Sequence, residues 1–222
     1  MNATPPSDES PTRGETWRSI WIERDDDRAD WNGLEACFES EAAYERWTHD
    51  LTAMLIEELA LTPHDVVADL GCGTGRIAAL IAPHVAQVLA FDYSSTVLDV
   101  GRRRRSAPNI TFSNVDLNLL DPSTLAATKA YAIGALLYLD SEDTARQLMG
   151  GLAQRGIAFA AVDMPDEERT DDVARNYDRS VYSHVQFSVE RLLGWFPSGR
   201  VIRHDRFPEY VHSGHRFTFV VD

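Results

Sequence analysis

Val66 to Leu80 reads VVADLGCGTGRIAAL: an apolar run, an acid, three glycines within five residues, and an arginine opening a second apolar stretch. An apolar run that ends in a glycine turn and passes into helix-spaced apolar residues is a strand–turn–helix unit. Two kinds of ligand compete for such a turn. In the dinucleotide fingerprint G-x-G-x-x-G the helix N-terminus receives a pyrophosphate. Here the glycines are Gly71, Gly73 and Gly75, and Arg76 stands at the fingerprint's third glycine position. Asp69, at the end of the strand and beside the loop, would repel a pyrophosphate and attract an ammonium or sulfonium group. The residues point to a partly cationic ligand without phosphate.

Outward from this unit, strand and helix patterns alternate. Strands are expected at Val66–Asp69, Gln87–Asp92, Ile110–Val115, Tyr131–Leu137 and Ile157–Val162, with helices from Gly75, Ser95, about Pro122 and Ser141. Such alternation implies a parallel sheet with helices on both faces. After Asp163 comes an acidic linker, then a helix from about Ser188 to Phe196 and two strands, Val201–Phe207 and His215–Val221, which read as a pair closing the sheet edge. Upstream, residues 1–13 are rich in Pro, Ser, Thr and acids and read as a disordered tail, with structure beginning near Trp17. Residues 14–60 read as an N-terminal helical cap, interrupted by the charged stretch at 23–30. Its second helix is capped by Ser40 and places Tyr44, Trp47, Leu51, Met54, Leu55 and Leu59 on one apolar face. Residues 61–222 form the main domain.

Composition narrows the function classes. With 35 acidic against 21 basic residues the formal net charge is −14, which argues against nucleic acid as a partner, because phosphate-backbone binding needs clustered Lys and Arg. Arg102–Arg105 is the one basic cluster. It sits where a helix should end, so a solvated end favoured by the helix dipole competes with an anion site. Cys37 and Cys72 lack metal-ligand spacing, so no metal site is expected, and Cys72 reads as a small filler in the glycine loop. No apolar run approaches the roughly 18 residues of a membrane span, and the expected location is the cytoplasm, with no membrane partner.

S-adenosylmethionine, with an amino-acid head, a sulfonium centre, a ribose and an adenine, satisfies the ligand description. The stretch VADLGCGTGRIA resembles the first motif of the class I S-adenosylmethionine-dependent methyltransferases, and the likeness continues in order over about residues 64 to 163. It implies a Rossmann-like α/β three-layer sandwich: a seven-stranded, mostly parallel sheet whose last strand is antiparallel. In that family the acid ending the second strand binds the ribose hydroxyls, which makes Asp92 the counterpart here, 17 residues after Gly75. A carboxylate is an acceptor only and can take both hydroxyl donors. Asp116 matches the family's adenine-facing acid, and Tyr93 and Leu117 can sandwich the ring. The cofactor set implied is therefore Asp69, Gly71, Cys72, Gly73, Gly75, Asp92, Tyr93, Asp116 and Leu117. Two departures concern the subfamily: Tyr131 replaces an acid often found at the fourth strand, and Gly156 stands where two glycines are usual.

Methyl transfer from a sulfonium is a displacement with a good leaving group, so the protein must align the partners, exclude water and, for a protonated acceptor, remove a proton. Tyr138, after the fourth strand, and His184, with its near-neutral intrinsic pKa, are the catalytic candidates. A core tyrosine competes at the first position and a surface or capping role at the second. Trp17, Trp21, Tyr44 and Tyr182 are candidate substrate contacts, and packing on the helical face competes at Tyr44. The expected activity is methylation of an oxygen or nitrogen of a small organic molecule, yielding S-adenosylhomocysteine. A nonenzymatic cofactor-binding regulatory module and a protein methyltransferase are the alternatives.

Overall fold

A computed structural model describes residues 11–24, 38–169, 184–204 and 207–222. Most of the expected tail, the acidic loop with Trp31, and Tyr182 lie outside these residues. Seven strands, β1 (Val66–Leu70), β2 (Gln87–Asp92), β3 (Ile110–Asn114), β4 (Lys129–Ile133), β5 (Ala158–Pro165), β6 (Arg200–Arg203) and β7 (Arg216–Val221), form one sheet in the order β3-β2-β1-β4-β5-β7-β6. Strands β1 to β5 pair in parallel, and β7 runs antiparallel to both β5 and β6. The last strand is thus not at the edge; it is inserted between β5 and β6, and β6 forms the border. The order reverses between β1 and β4, the switch point above which open α/β sheets leave a ligand crevice.

The helices are α1 (Arg13–Arg24), α2 (Glu41–Glu58), α3 (Arg76–Ile81), α4 (Ser95–Arg104), α5 (Glu142–Gln154) and α6 (Val189–Trp195). Ser40, Ser94, Ser141 and Ser188 each accept a hydrogen bond from the backbone amide three residues on, at the starts of α2, α4, α5 and α6. Regular structure begins earlier than Trp17. Thr12 and Glu15 form a reciprocal capping box, the Thr12 amide donating to Glu15 Oε2 (2.8 Å) and the Glu15 amide to Thr12 Oγ1 (3.2 Å).

Two apolar layers flank the sheet. Leu51, Met54 and Leu55 of α2 and Leu59 just after it are buried against Val67, Val88, Ala90, Tyr131 and Val220, with Ala78 and Ile81 of α3 beside them. Leu148, Met149 and Leu152 of α5 pack on the other face with Phe159, Phe217 and Phe219. The helix α2 therefore packs on one face of the sheet, whereas α1 lies against the segment after β4.

Four boundaries depart from expectation for local reasons. β4 ends at Ile133, because Gly134 turns the chain at φ +57° and Leu136–Tyr138 wind into a single 3-10 turn. Leu136 and Leu137, at the end of the apolar run, are buried without being strand. In place of a helix from Pro122 there is only a 3-10 turn, Pro122–Thr124, capped by Asp121. β5 runs on to Pro165, since β7 keeps pairing with it past an irregularity between Ala161 and Met164. β6 stops at Arg203 instead of reaching Phe207, which folds back into the α2-side core.

Candidate active site

In the glycine loop four amides bond to the protein's own oxygens. The Gly71 and Cys72 amides both donate to the Phe91 carbonyl at 2.8 Å, and the Gly75 amide donates to the Cys72 carbonyl at 2.9 Å. The Gly73 amide donates to Asp92 Oδ2 at 2.9 Å. Amides that a phosphate cradle would aim outward are engaged by the protein's own oxygens, one of them a carboxylate. Gly71 is required by geometry: its φ is +84°, and a Cβ there would stand 2.6 Å from Ala135 Cβ.

Asp92 ends β2 directly across from this loop. Its Oδ1 accepts the Ser94 amide at 2.9 Å, so one carboxylate ties the glycine loop to the start of α4 while Ser94 itself provides the helix cap. Tyr93 follows, half-buried, its carbonyl accepting from Asn114 Nδ2 at 2.6 Å. Leu117 is buried and approaches the loop, 3.9 Å from the Cβ position of Gly71. Asp116 lies two residues beyond the end of β3, held by the Asn118 amide (3.0 Å) and side chain (3.2 Å) and ion-paired with Arg18 of α1.

Asp69 is buried beneath the loop, one residue before the end of β1. Tyr131, its direct partner across the β1–β4 pairing, donates its hydroxyl to Asp69 Oδ2 at 2.8 Å. Burial, opposed by that bond and reinforced by nearby Asp92, pushes the Asp69 carboxyl up to about 7. Burial also raises the Cys72 thiol, consistent with an unreactive filler beside the same core. Because the folded-state value lies above the ordinary 3.8, the folded protein holds this proton more tightly than the unfolded chain. The resulting stabilisation is complete below about pH 4 and is lost as pH rises to about 7, at most on the order of 4 kcal/mol. Asp69→Asn should therefore gain stability relative to the native protein as pH rises from 5 to 8, read by urea unfolding. A difference independent of pH would contradict the raised value.

The other candidates gather at the carboxyl ends of β4 and β5. The Gly14 amide of α1 donates to Asp140 Oδ1 at 2.8 Å, which seats α1 beside Tyr138. Trp17 stacks on His184 with ring centroids 4.6 Å apart and meets Tyr138 edge-on at 4.8 Å; Trp21 meets Tyr138 at 5.4 Å, and Tyr138 meets His184 at 5.2 Å. The Val185 amide, donating to the Leu137 carbonyl at 2.9 Å, pins the His184 segment to this turn. His184 does not cap α6, a role taken by Ser188. Four of the sequence candidates thus form one aromatic group. Tyr44 is elsewhere, buried in the α2 layer with Phe38, Trp47 and Tyr210 and lying under the Arg76 guanidinium. Of the basic cluster, Arg102 pairs with Asp99, and Arg105 reaches the Thr74 carbonyl and hydroxyl at 3.4 and 3.3 Å. The sequence reading missed Arg18 and the Tyr131–Asp69 bond; Tyr131 was visible only as a departure from the family pattern.

Residues 67–156 match the family described as a methyltransferase domain. A trans-aconitate 2-methyltransferase from Methylobacterium radiotolerans is 34% identical over 144 residues, which are 62% of this chain and 50% of that protein. The chain spans about half the length of the curated relatives it matches. Among solved structures, the DhpI–SAH complex shares the fold with a TM-score of 0.63 at 17% identity, covering 96% of this chain and 98% of that one. The N-methyltransferase NodS from Bradyrhizobium japonicum WM9, in complex with S-adenosyl-L-homocysteine, gives a TM-score of 0.61 at 13% identity over 92% of this chain and 95% of that one. The matched stretch runs from β1 through α5 and contains the glycine loop, Asp92 and Asp116, so residues 67–156 are similar to a methyltransferase domain, on a fold shared with these solved structures.

Proposed function

We propose that the protein transfers a methyl group from S-adenosylmethionine to an oxygen or nitrogen of a small organic acceptor. The observation that carries this reading is the Asp92 carboxylate, bonded to Gly73 and Ser94 at the mouth of a loop whose inner amides are already engaged. The loop also has room for the ligand: nothing stands within 4 Å of the position a Cβ would take on Gly73. Asp92 would hold the ribose hydroxyls, Tyr93 and Leu117 the faces of the adenine, and Asp116 its exocyclic amine. The loop, with Asp69 beneath it, would receive the cationic amino-acid head; a cation there draws the Asp69 carboxyl toward its charged form. When bound, S-adenosylmethionine supplies a methyl group activated by the sulfonium.

The chain's own share is placement and exclusion of water. Trp17 and Trp21, with Tyr138 and His184, wall the acceptor side; Tyr138 and His184 supply the polar atoms on that wall. Arg18, by pairing with Asp116, ties α1 to the adenine end as well. The substrate class is supported by the aromatic wall and by the small-molecule name of the curated relative. No described helix is long and apolar enough to cross a membrane, and we place the protein in the cytoplasm.

Calorimetry with S-adenosylmethionine and S-adenosylhomocysteine, followed by a transfer assay over small amines, phenols and alcohols, tests the reading. Expected are saturable binding of both ligands and methylation of one acceptor class. Failure to bind either ligand would overturn it, and tight binding with no transfer but a stable protein partner would make the chain a sensor.

A further inference from the structure

Asp163 stands where β5 leaves regular geometry. Its φ is +63°, in the left-handed region that residues with side chains rarely adopt, and it falls within the register irregularity between Ala161 and Met164. Bulges of this kind re-aim side chains, and backbone strain of this kind concentrates where a side chain must be held for function. Here the side chain held is a carboxylate, with the residue only 9% exposed, whose two oxygens have different surroundings. Oδ1 accepts a 2.8 Å hydrogen bond from the Tyr210 hydroxyl and lies 3.7 Å from Arg216 Nε. Oδ2 accepts no hydrogen bond among the described residues and lies 3.3 Å from the position a Cβ would take on Gly134.

That position is informative because Gly134 follows β4, and Ala135 beside it is the residue that a Cβ on Gly71 would strike. Oδ2 therefore looks onto the β4 end at the switch between β1 and β4, next to the glycine loop. A buried carboxylate with one oxygen anchored and the other turned toward a ligand crevice is arranged to accept a proton from what binds there.

We propose that Asp163 is the catalytic residue that takes the acceptor's proton, and that the acceptor is an amine or hydroxyl compound bearing N–H or O–H at the methylated atom. The inference rests on the methyltransferase reading above. The acceptor heteroatom's lone pair forms the bond to the methyl carbon, and the carbon–sulfur bond breaks with its electron pair passing to sulfur. The N–H or O–H proton moves to Asp163 Oδ2, and from there to solvent on product release. Burial raises the Asp163 carboxyl, opposed by Arg216 and by the Tyr210 bond, which makes it a stronger proton acceptor than an exposed carboxylate. Among the described residues, the charged and titratable groups facing it are Arg216 of β7 and Tyr210 of the loop after β6; β4 presents the uncharged Gly134. Trans-aconitate, a tricarboxylate, would bring like charge against Asp163.

Asp163→Asn tests the assignment, since its side-chain oxygen can still accept from Tyr210 while the other position becomes an amide donor. Protein loaded with S-adenosylhomocysteine and labelled with 13C at the aspartate carboxyls is titrated with ethanolamine, phenol and trans-aconitate. The Asp163 resonance is identified by its loss in the variant. It should move with ethanolamine or phenol and not with trans-aconitate. In parallel, turnover of whichever amine or hydroxyl acceptor is active should fall roughly 100- to 10,000-fold in the variant, with S-adenosylhomocysteine affinity unchanged. A resonance indifferent to both donor probes, a response to trans-aconitate in their place, or undiminished turnover by Asp163→Asn would overturn the assignment. Loss of S-adenosylhomocysteine binding by the native protein would instead count against the methyltransferase reading itself.

Discussion

Replacing Asp92 with alanine is expected to weaken binding of S-adenosylmethionine and S-adenosylhomocysteine by about 10- to 150-fold. The variant removes charge-assisted hydrogen bonds worth roughly 1.5 to 3 kcal/mol. It also releases the Gly73 and Ser94 amides that the carboxylate now gathers. Gly73 is partly exposed, where water can replace the lost acceptor, but Ser94 is buried, so stability should fall as well, by roughly 1 to 3 kcal/mol. A loss of affinity that persists where the variant is fully folded is the signature of a ligand contact. Calorimetric affinities equal to those of the native protein would remove Asp92 from the site.

Gly71→Ala should act in the opposite proportion, chiefly on stability. The new methyl group would lie 2.6 Å from Ala135 Cβ, an atom fixed to its own backbone, and the φ of +84° disfavours any side chain. Overpacking and left-handed strain together predict a loss of roughly 2 to 4 kcal/mol, which for a chain of this size lowers the melting temperature by about 5 to 15 °C. Gly73→Ala is the comparison, because its φ is +53° but its Cβ would meet open space. It should cost about 1 kcal/mol in folding while obstructing the room proposed for the ligand. Thermal unfolding of the two variants side by side decides the matter: equal melting temperatures would mean that the Gly71–Ala135 approach constrains nothing.

What could be read from the sequence follows from range. The glycine loop, the serine caps at 40, 94, 141 and 188, and the acids at the ends of successive strands are local signals, and the structure realises them within a residue or two. The resemblance added the number of strands and the antiparallel direction of the last one. Poorly legible features depend on partners far along the chain. Asp69 and Tyr131 are 62 residues apart, and Gly14 and Asp140 are 126 apart, so neither the buried hydroxyl–carboxylate bond nor the seating of α1 leaves a periodic trace. β4 was misjudged in length because an apolar run signals burial without saying whether the buried backbone is extended or turned. Asp163 carried no motif; it is distinguished only by its dihedral angle and by the bulge against β7.

The insertion of β7 between β5 and β6 bears on how the protein is made. During synthesis the first five strands can emerge and pair in parallel, yet the border of β5 remains without a partner until residues 216–221 have left the ribosome. That border is the strand Ala158–Pro165, apolar along most of its length and buried throughout in the finished sheet. A nascent chain carrying such an edge is open to pairing with other chains. Its protection comes last, from a strand that must slide in beside β5 and bring β6 with it.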